Sequence, residues 1–109
     1  MTVLNKFIMG CYKGWIEQNV PLYETAGNCT IWVRAMAAAF PELMPVGGYV
    51  QGINSMGWFT WPQYHEYLIT EEGEIVDPTR VQYDKLFDGG WEYLRCNEHL
   101  LYLPDGRSN

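Results

Sequence analysis

Positive charge is scarce in this sequence: seven Lys and Arg stand against thirteen Asp and Glu, for a net charge of -6. The seven cations are scattered, with no basic stripe and no interleaved aromatics. Phosphate binding needs clustered Lys and Arg, so no nucleic-acid partner is expected. Cysteine is also sparse. Three residues, Cys11, Cys29 and Cys96, are an odd number without tight spacing. They give neither a disulfide framework nor a CxxC zinc pair, and a reducing, cytoplasmic setting is the simplest expectation. The N-terminus lacks the basic segment and apolar run of a signal peptide, and no stretch approaches the length of a membrane span, so no membrane association is expected. Internal repeats, low-complexity tracts and a second-domain boundary are absent as well.

What is present is apolar and aromatic. Of 109 residues, 48% are hydrophobic and 16% aromatic, which excludes disorder and suits one domain over residues 1–109 with a single core. The chain is organised around Gly27 to Phe40, whose apolar residues run all the way round a helix and carry one charge, Arg34. That pattern predicts an enclosed helix, almost wholly buried, with Arg34 paired or emerging at a gap. Gly27 and Asn28 read as breaker and N-cap, and Pro41 as the stop. Cys29 then sits at the positive end of a helix dipole, among unpaired backbone N–H groups that lower a thiol pKa.

Upstream, Leu4, Phe7, Ile8, Cys11 and Trp15 recur at helical spacing and predict an amphipathic helix over residues 3 to 18, with Cys11 on the core side. Gly10 and Gly14 interrupt it. Residues 19 to 27, with Pro21, read as a loop whose Tyr23 and Glu24 either line a site or are plain surface. Leu43 to Val50 predicts a strand with a bulge or close contact at Gly47-Gly48. Residues 52 to 57 read as a loop. The block Trp58 to His65 is unusually aromatic, and suits core filling or an exposed platform equally.

Residues 63 to 70 and 74 to 77 predict two strands joined by Glu71-Glu72-Gly73. A three-residue hairpin loop favours a left-handed residue at its last position, where Gly73 stands. This register sets Thr70 opposite Glu74 and Tyr67 opposite Asp77. His65, Tyr67, Ile69, Ile75 and Asp77 then share one face, and a His65–Asp77 hydrogen bond is within diagonal reach. Further strands are expected around Trp91 to Arg95 and Leu100 to Leu103, with a polar tail from Pro104. A cysteine at a helix start, a histidine on a strand and an aspartate ending the next strand form the set that thiol nucleophilic catalysis needs.

The segments Gly27-Asn28-Cys29, Val46 to Gly52, His65-Glu66-Tyr67-Leu68-Ile69 and Gly73 to Thr79 together resemble the transglutaminase-like branch of the papain-like cysteine enzymes. The resemblance spans about residues 27 to 83. It implies an α+β fold with a Cys-bearing helix packed on an antiparallel sheet, no cofactor, and a thioacyl-enzyme step on a peptide, protein or amide substrate. In that scheme Cys29 is the nucleophile, His65 the base and Asp77 the orienting acid. Members of the family hydrolyse peptides, cross-link or deamidate glutamine, or transfer acetyl groups. The papain-type oxyanion glutamine has no secure counterpart; Gln18 serves only if its loop folds back, and the Cys29 backbone N–H is the safer donor. Trp58, Trp61 and Tyr67 join Gln18 as candidate substrate contacts. The competing expectation is a non-catalytic module that binds a peptide or protein through Trp58 to Tyr64. Metal binding by Cys29, His65, Asp77 or His99 has no ligand spacing behind it, and His99 reads as a surface residue.

Overall fold

The computed structural model describes residues 3–101. Helix α1 spans Val3–Asn19, a 3-10 turn covers Leu22–Glu24, and α2 spans Cys29–Ala39. Strand β1 is Met44–Gly52, β2 Gln63–Ile69, β3 Ile75–Val76; a short helix α3, Val81–Leu86, leads to β4, Trp91–Leu100. The four strands form one sheet in the order β3-β2-β1-β4, antiparallel at each junction. The protein is thus a small α+β domain in which helices cover an antiparallel sheet.

Two apolar clusters hold the sheet between them. On one face Tyr12, Val33, Met36, Ala37, Leu43, Leu68 and Val76 join α1 and α2 to the strands. On the other, Val50, Tyr83, Phe87, Trp91 and Tyr93 pack α3 against β1 and β4. Leu68 and Val76 stand opposite each other in the β2–β3 ladder, so the hairpin alternation sends them to the helical layer and leaves the odd-numbered residues for the other side.

Helix α2 departs from the enclosed helix its sequence predicts. Val33, Met36 and Ala37 are buried, whereas Ile31, Arg34, Ala38 and Ala39 are exposed. A four-stranded sheet and one neighbouring helix cover a single stripe of α2, and alanine fills the uncovered side at little solvation cost. Arg34 therefore emerges into solvent. Asn28 precedes the helix but does not cap it: its Nδ2 donates backward to the Glu24 carbonyl at 2.8 Å.

Helix α1 has the expected extent but a rotated face. Ile8, Met9, Trp15 and Ile16 pack around buried Tyr12, while Leu4, Phe7 and Cys11 are exposed. Cys11 is accordingly no core residue. Tyr12 decides the rotation: its ring meets Phe40 edge-on at 4.9 Å and its hydroxyl donates to Glu42 at 2.7 Å. Both partners lie beyond α2, out of reach of any local pattern.

The glycine pair in β1 marks a bulge. Gly47 pairs with His99 and Tyr49 with Leu94, so Gly48 alone faces the run Arg95 to Glu98 on β4. A Cβ at Gly48 would stand 3.0 Å from the Tyr67 hydroxyl, and one at Gly47 2.8 Å from His99 Nε2. The two glycines thus leave room over β1 for side chains from both neighbours, Tyr67 of β2 and His99 of β4. Strand β4 is one element to Leu100, and it absorbs the start of the separate edge strand expected there; Tyr102, Leu103 and the tail from Pro104 lie outside the described residues.

Candidate functional site

Cys29 is the first residue of α2. Strand β3 pairs with β2 only at Leu68 and Ile69, which leaves the His65–Glu66 stretch for the start of α2. There the Cys29 sulfur accepts from the Glu66 backbone N–H and meets the His65 ring. Gln82 on α3 braces the approach, since its Oε1 accepts the Gly27 N–H at 3.3 Å while its Nε2 donates to Thr79 Oγ1 at 3.0 Å. The segment carrying the thiol is therefore tied to the segment carrying the aspartate.

The hairpin supplies the other two groups in the expected register. Ile69 pairs with Ile75 and Leu68 with Val76, and Gly73 closes the turn at φ +83. His65 is completely buried, and its Nε2 lies 2.7 Å from Asp77 Oδ2. Asp77 is held from three sides. Thr79 donates its backbone N–H to Oδ1 at 3.0 Å, closing a local turn around Pro78, and the Tyr93 hydroxyl donates to Oδ2 at 2.7 Å. The carboxylate thus reaches His65 as part of a fixed network.

With Nε2 taken by Asp77, Nδ1 is the ring nitrogen left for the thiol. It is sealed from solvent and makes no closed hydrogen bond, yet His65 lowers the Cys29 thiol and Cys29, after Asp77, raises the imidazole. The thiol and the ring are thus neighbours without a closed hydrogen bond. Burial pushes the Cys29 thiol up, but His65 and the Glu66 N–H outweigh it, and the net direction is down. Burial pulls the imidazole down; Asp77 and Cys29 overcome that and raise it to about 9. The pair favours thiolate beside imidazolium.

Around this pair the rings are fixed. Tyr67 stacks on His65 with centroids 5.7 Å apart, and Tyr83 meets it edge-on at 4.9 Å. Tyr67 is fully buried and donates its hydroxyl to Glu98, which Arg95 holds through Nε and Nη2 at 3.0 Å each. Arg95 also reaches the Gly73 carbonyl at 2.7 Å, spanning from the bulge of β4 to the hairpin turn. Tyr67 therefore backs His65 and offers no surface to a ligand.

The remaining substrate candidates are exposed. Trp58, Phe59 and Trp61 stand in solvent, Trp61 at 90%, which settles the aromatic block as surface and not core. Gln18 is exposed on α1 and hydrogen-bonds to neither Cys29 nor His65. His99 is a surface residue stacked on Tyr64. Among the described residues no group of His, Cys, Asp and Glu is arranged to hold a metal ion, and no helix is long and apolar enough to cross a membrane.

Sequence reasoning passed over Tyr83, Gln82, Tyr93, Arg95 and Glu98. All five come from α3 and β4, beyond the His65 to Thr79 string, and no spacing signal connects them to it. No protein-family model, curated protein or solved structure matches the chain.

Proposed function

We propose that the protein is a cysteine-dependent acyltransferase or amide hydrolase with a papain-like, transglutaminase-like core. Cys29 acts as nucleophile, His65 as acid and base, and Asp77 as the group that orients the ring. The observation carrying this reading is the full burial of His65, with Asp77 Oδ2 2.7 Å from Nε2, Nδ1 left without a partner, and the Cys29 thiol beside the ring. A structural histidine needs one good partner. This one has its second nitrogen reserved for a thiol whose pKa is lowered.

The steps follow from the charges. The thiolate attacks an acyl carbon, the C–S bond forms, and the carbonyl pair moves onto oxygen. Collapse breaks the bond to the leaving amine, which takes the proton from His65 Nδ1. The neutral imidazole then removes a proton from water or an amine, whose attack breaks the thioester and restores the pair. Asp77 stabilises the imidazolium while keeping its own charge. First-turn N–H groups of α2 provide donors for the oxyanion.

The test is covalent. The protein incubated with p-nitrophenyl acetate should release one equivalent of p-nitrophenolate in a burst and carry one acetyl group on Cys29 by mass spectrometry. Cys29→Ala should remove the burst and abolish turnover while leaving substrate binding largely intact.

A second reading, a peptide- or protein-binding module, rests on the exposure of Trp58, Phe59 and Trp61. Large rigid rings in solvent are contact area at low entropic cost. On that reading Trp61→Ala abolishes partner capture and Cys29→Ala leaves it unchanged.

A further inference from the structure

Tyr83 lies on α3 with its ring enclosed by His65, Phe87 and Trp91, at centroid distances of 4.9, 5.8 and 5.1 Å. Only 4% of its surface is exposed. Every other tyrosine hydroxyl in the buried network has a partner: Tyr67 donates to Glu98, Tyr93 to Asp77, and Tyr12 to Glu42. Tyr83 has none. The stack with Phe87 and Trp91 uses only the ring, so the hydroxyl is a donor that packing leaves free.

His65 Nδ1 is the sole sealed and unpartnered side-chain polar atom among the described residues. The Tyr83 hydroxyl, equally unpartnered, therefore keeps a small opening to solvent although its ring is enclosed. Of the charges acting on it, that of Cys29 outranks that of Asp77. The Tyr83 ring meets His65 edge-on, and the preceding residue, Gln82, accepts the N–H of Gly27, two residues before Cys29; α3 thus sets the free donor beside the pair at which an acyl group must arrive.

Resting on the acyl-transfer reading, we infer that Tyr83 is a further catalytic residue: its hydroxyl donates a hydrogen bond to the oxygen of the acyl group that Cys29 attacks. Together with the Cys29 backbone N–H it completes an oxyanion site that lacks a glutamine donor. As the C–S bond forms and negative charge collects on that oxygen, the O–H···O⁻ bond strengthens. The phenol proton stays on Tyr83 throughout, and the proton for the leaving group comes from His65. Burial and the nearby thiolate both raise the phenol pKa and hold it in the donor form.

The experiment compares two reactions of the same thiol. Acylation by p-nitrophenyl acetate passes through a tetrahedral oxyanion, whereas alkylation by iodoacetamide has none. Tyr83→Phe keeps the ring stack, and should lower the acylation rate of Cys29 by about 10²-fold while its alkylation rate and pH profile stay within twofold of the parent. A second protein carrying 3,5-difluorotyrosine at position 83 keeps the hydroxyl as a stronger donor, and should acylate faster than the parent. Unchanged acylation in Tyr83→Phe overturns the inference, and so does an equal fall in both rates, which marks a structural role. Should Tyr83→Phe fail to fold, a fluorinated protein no faster than the parent overturns it. Failure of the acyl-transfer reading itself is separately visible, as absence of acetyl on Cys29 in the parent.

Discussion

The Glu74 carbonyl accepts the Thr70 N–H at 2.9 Å, closing the turn that brings Asp77 onto the same face as His65. A hairpin one residue shorter would send Asp77 to the side of Leu68, because each single-residue slip moves every side chain through the sheet. Deletion of Glu72 should therefore leave helical circular dichroism but remove the reactivity of Cys29 toward p-nitrophenyl acetate. Gly73→Ala, forced to keep φ +83, should cost about 1 to 2 kcal/mol by urea denaturation with that reactivity retained.

Asp77→Asn tests the orienting role. Asparagine keeps the shape and the Thr79 turn but cannot hold the imidazolium. The acylation rate should fall steeply, by analogy with the loss of about 10⁴ in a serine triad whose aspartate becomes asparagine. A melting temperature within a few degrees of the parent would locate the loss in chemistry.

The hairpin and the Cys-bearing helix were legible because local chemistry fixes them: the loop length, Gly73 at its third place, and Gly27 with Pro41 as punctuation. The buried face of α1 was not. Leu4, Phe7 and Cys11 are as apolar as Met9 and Ile16, and the choice falls to Phe40 and Glu42, which Tyr12 reaches across the fold. Helix α3 spans Val81–Leu86, less than two turns, too short for a period to declare itself. The bulge of β4 is held by Glu98 on Tyr67 and Arg95 on the Gly73 carbonyl, bonds between residues far apart in sequence. For the same reason the candidate site was legible in Cys29, His65 and Asp77 and hidden in the tyrosines around them.

Tyr93→Phe removes a hydroxyl from a carboxylate oxygen that also binds His65. Hydrogen bonds to charged groups contribute about 1.5–3 kcal/mol, so chemical denaturation should show a loss near 2 kcal/mol. With one donor fewer, Asp77 holds the imidazolium more strongly, and the alkaline limb of the acylation profile should move to higher pH.

The His65 shift also sets a pH dependence of stability. Its folded pKa, about 9, lies above its ordinary value, so its contribution is fully present below about 6.5 and is lost as pH rises through 9. Thiolate formation at Cys29 opposes this trend, which makes Cys29→Ala the clean background. In that variant the unfolding free energy should fall with pH above about 6.5, and Asp77→Asn added to it should flatten the fall.

If His65 activates Cys29, the thiol should win a competition for alkylation that its burial disfavours. Cys11 and Cys96 are exposed while Cys29 is half-buried, so access alone favours the first two. The protein treated at pH 7 with substoichiometric iodoacetamide and mapped by mass spectrometry should carry its label on Cys29 ahead of both others, and His65→Ala should abolish that preference. Labelling that follows exposure, with Cys11 or Cys96 leading in the parent protein, would contradict the account.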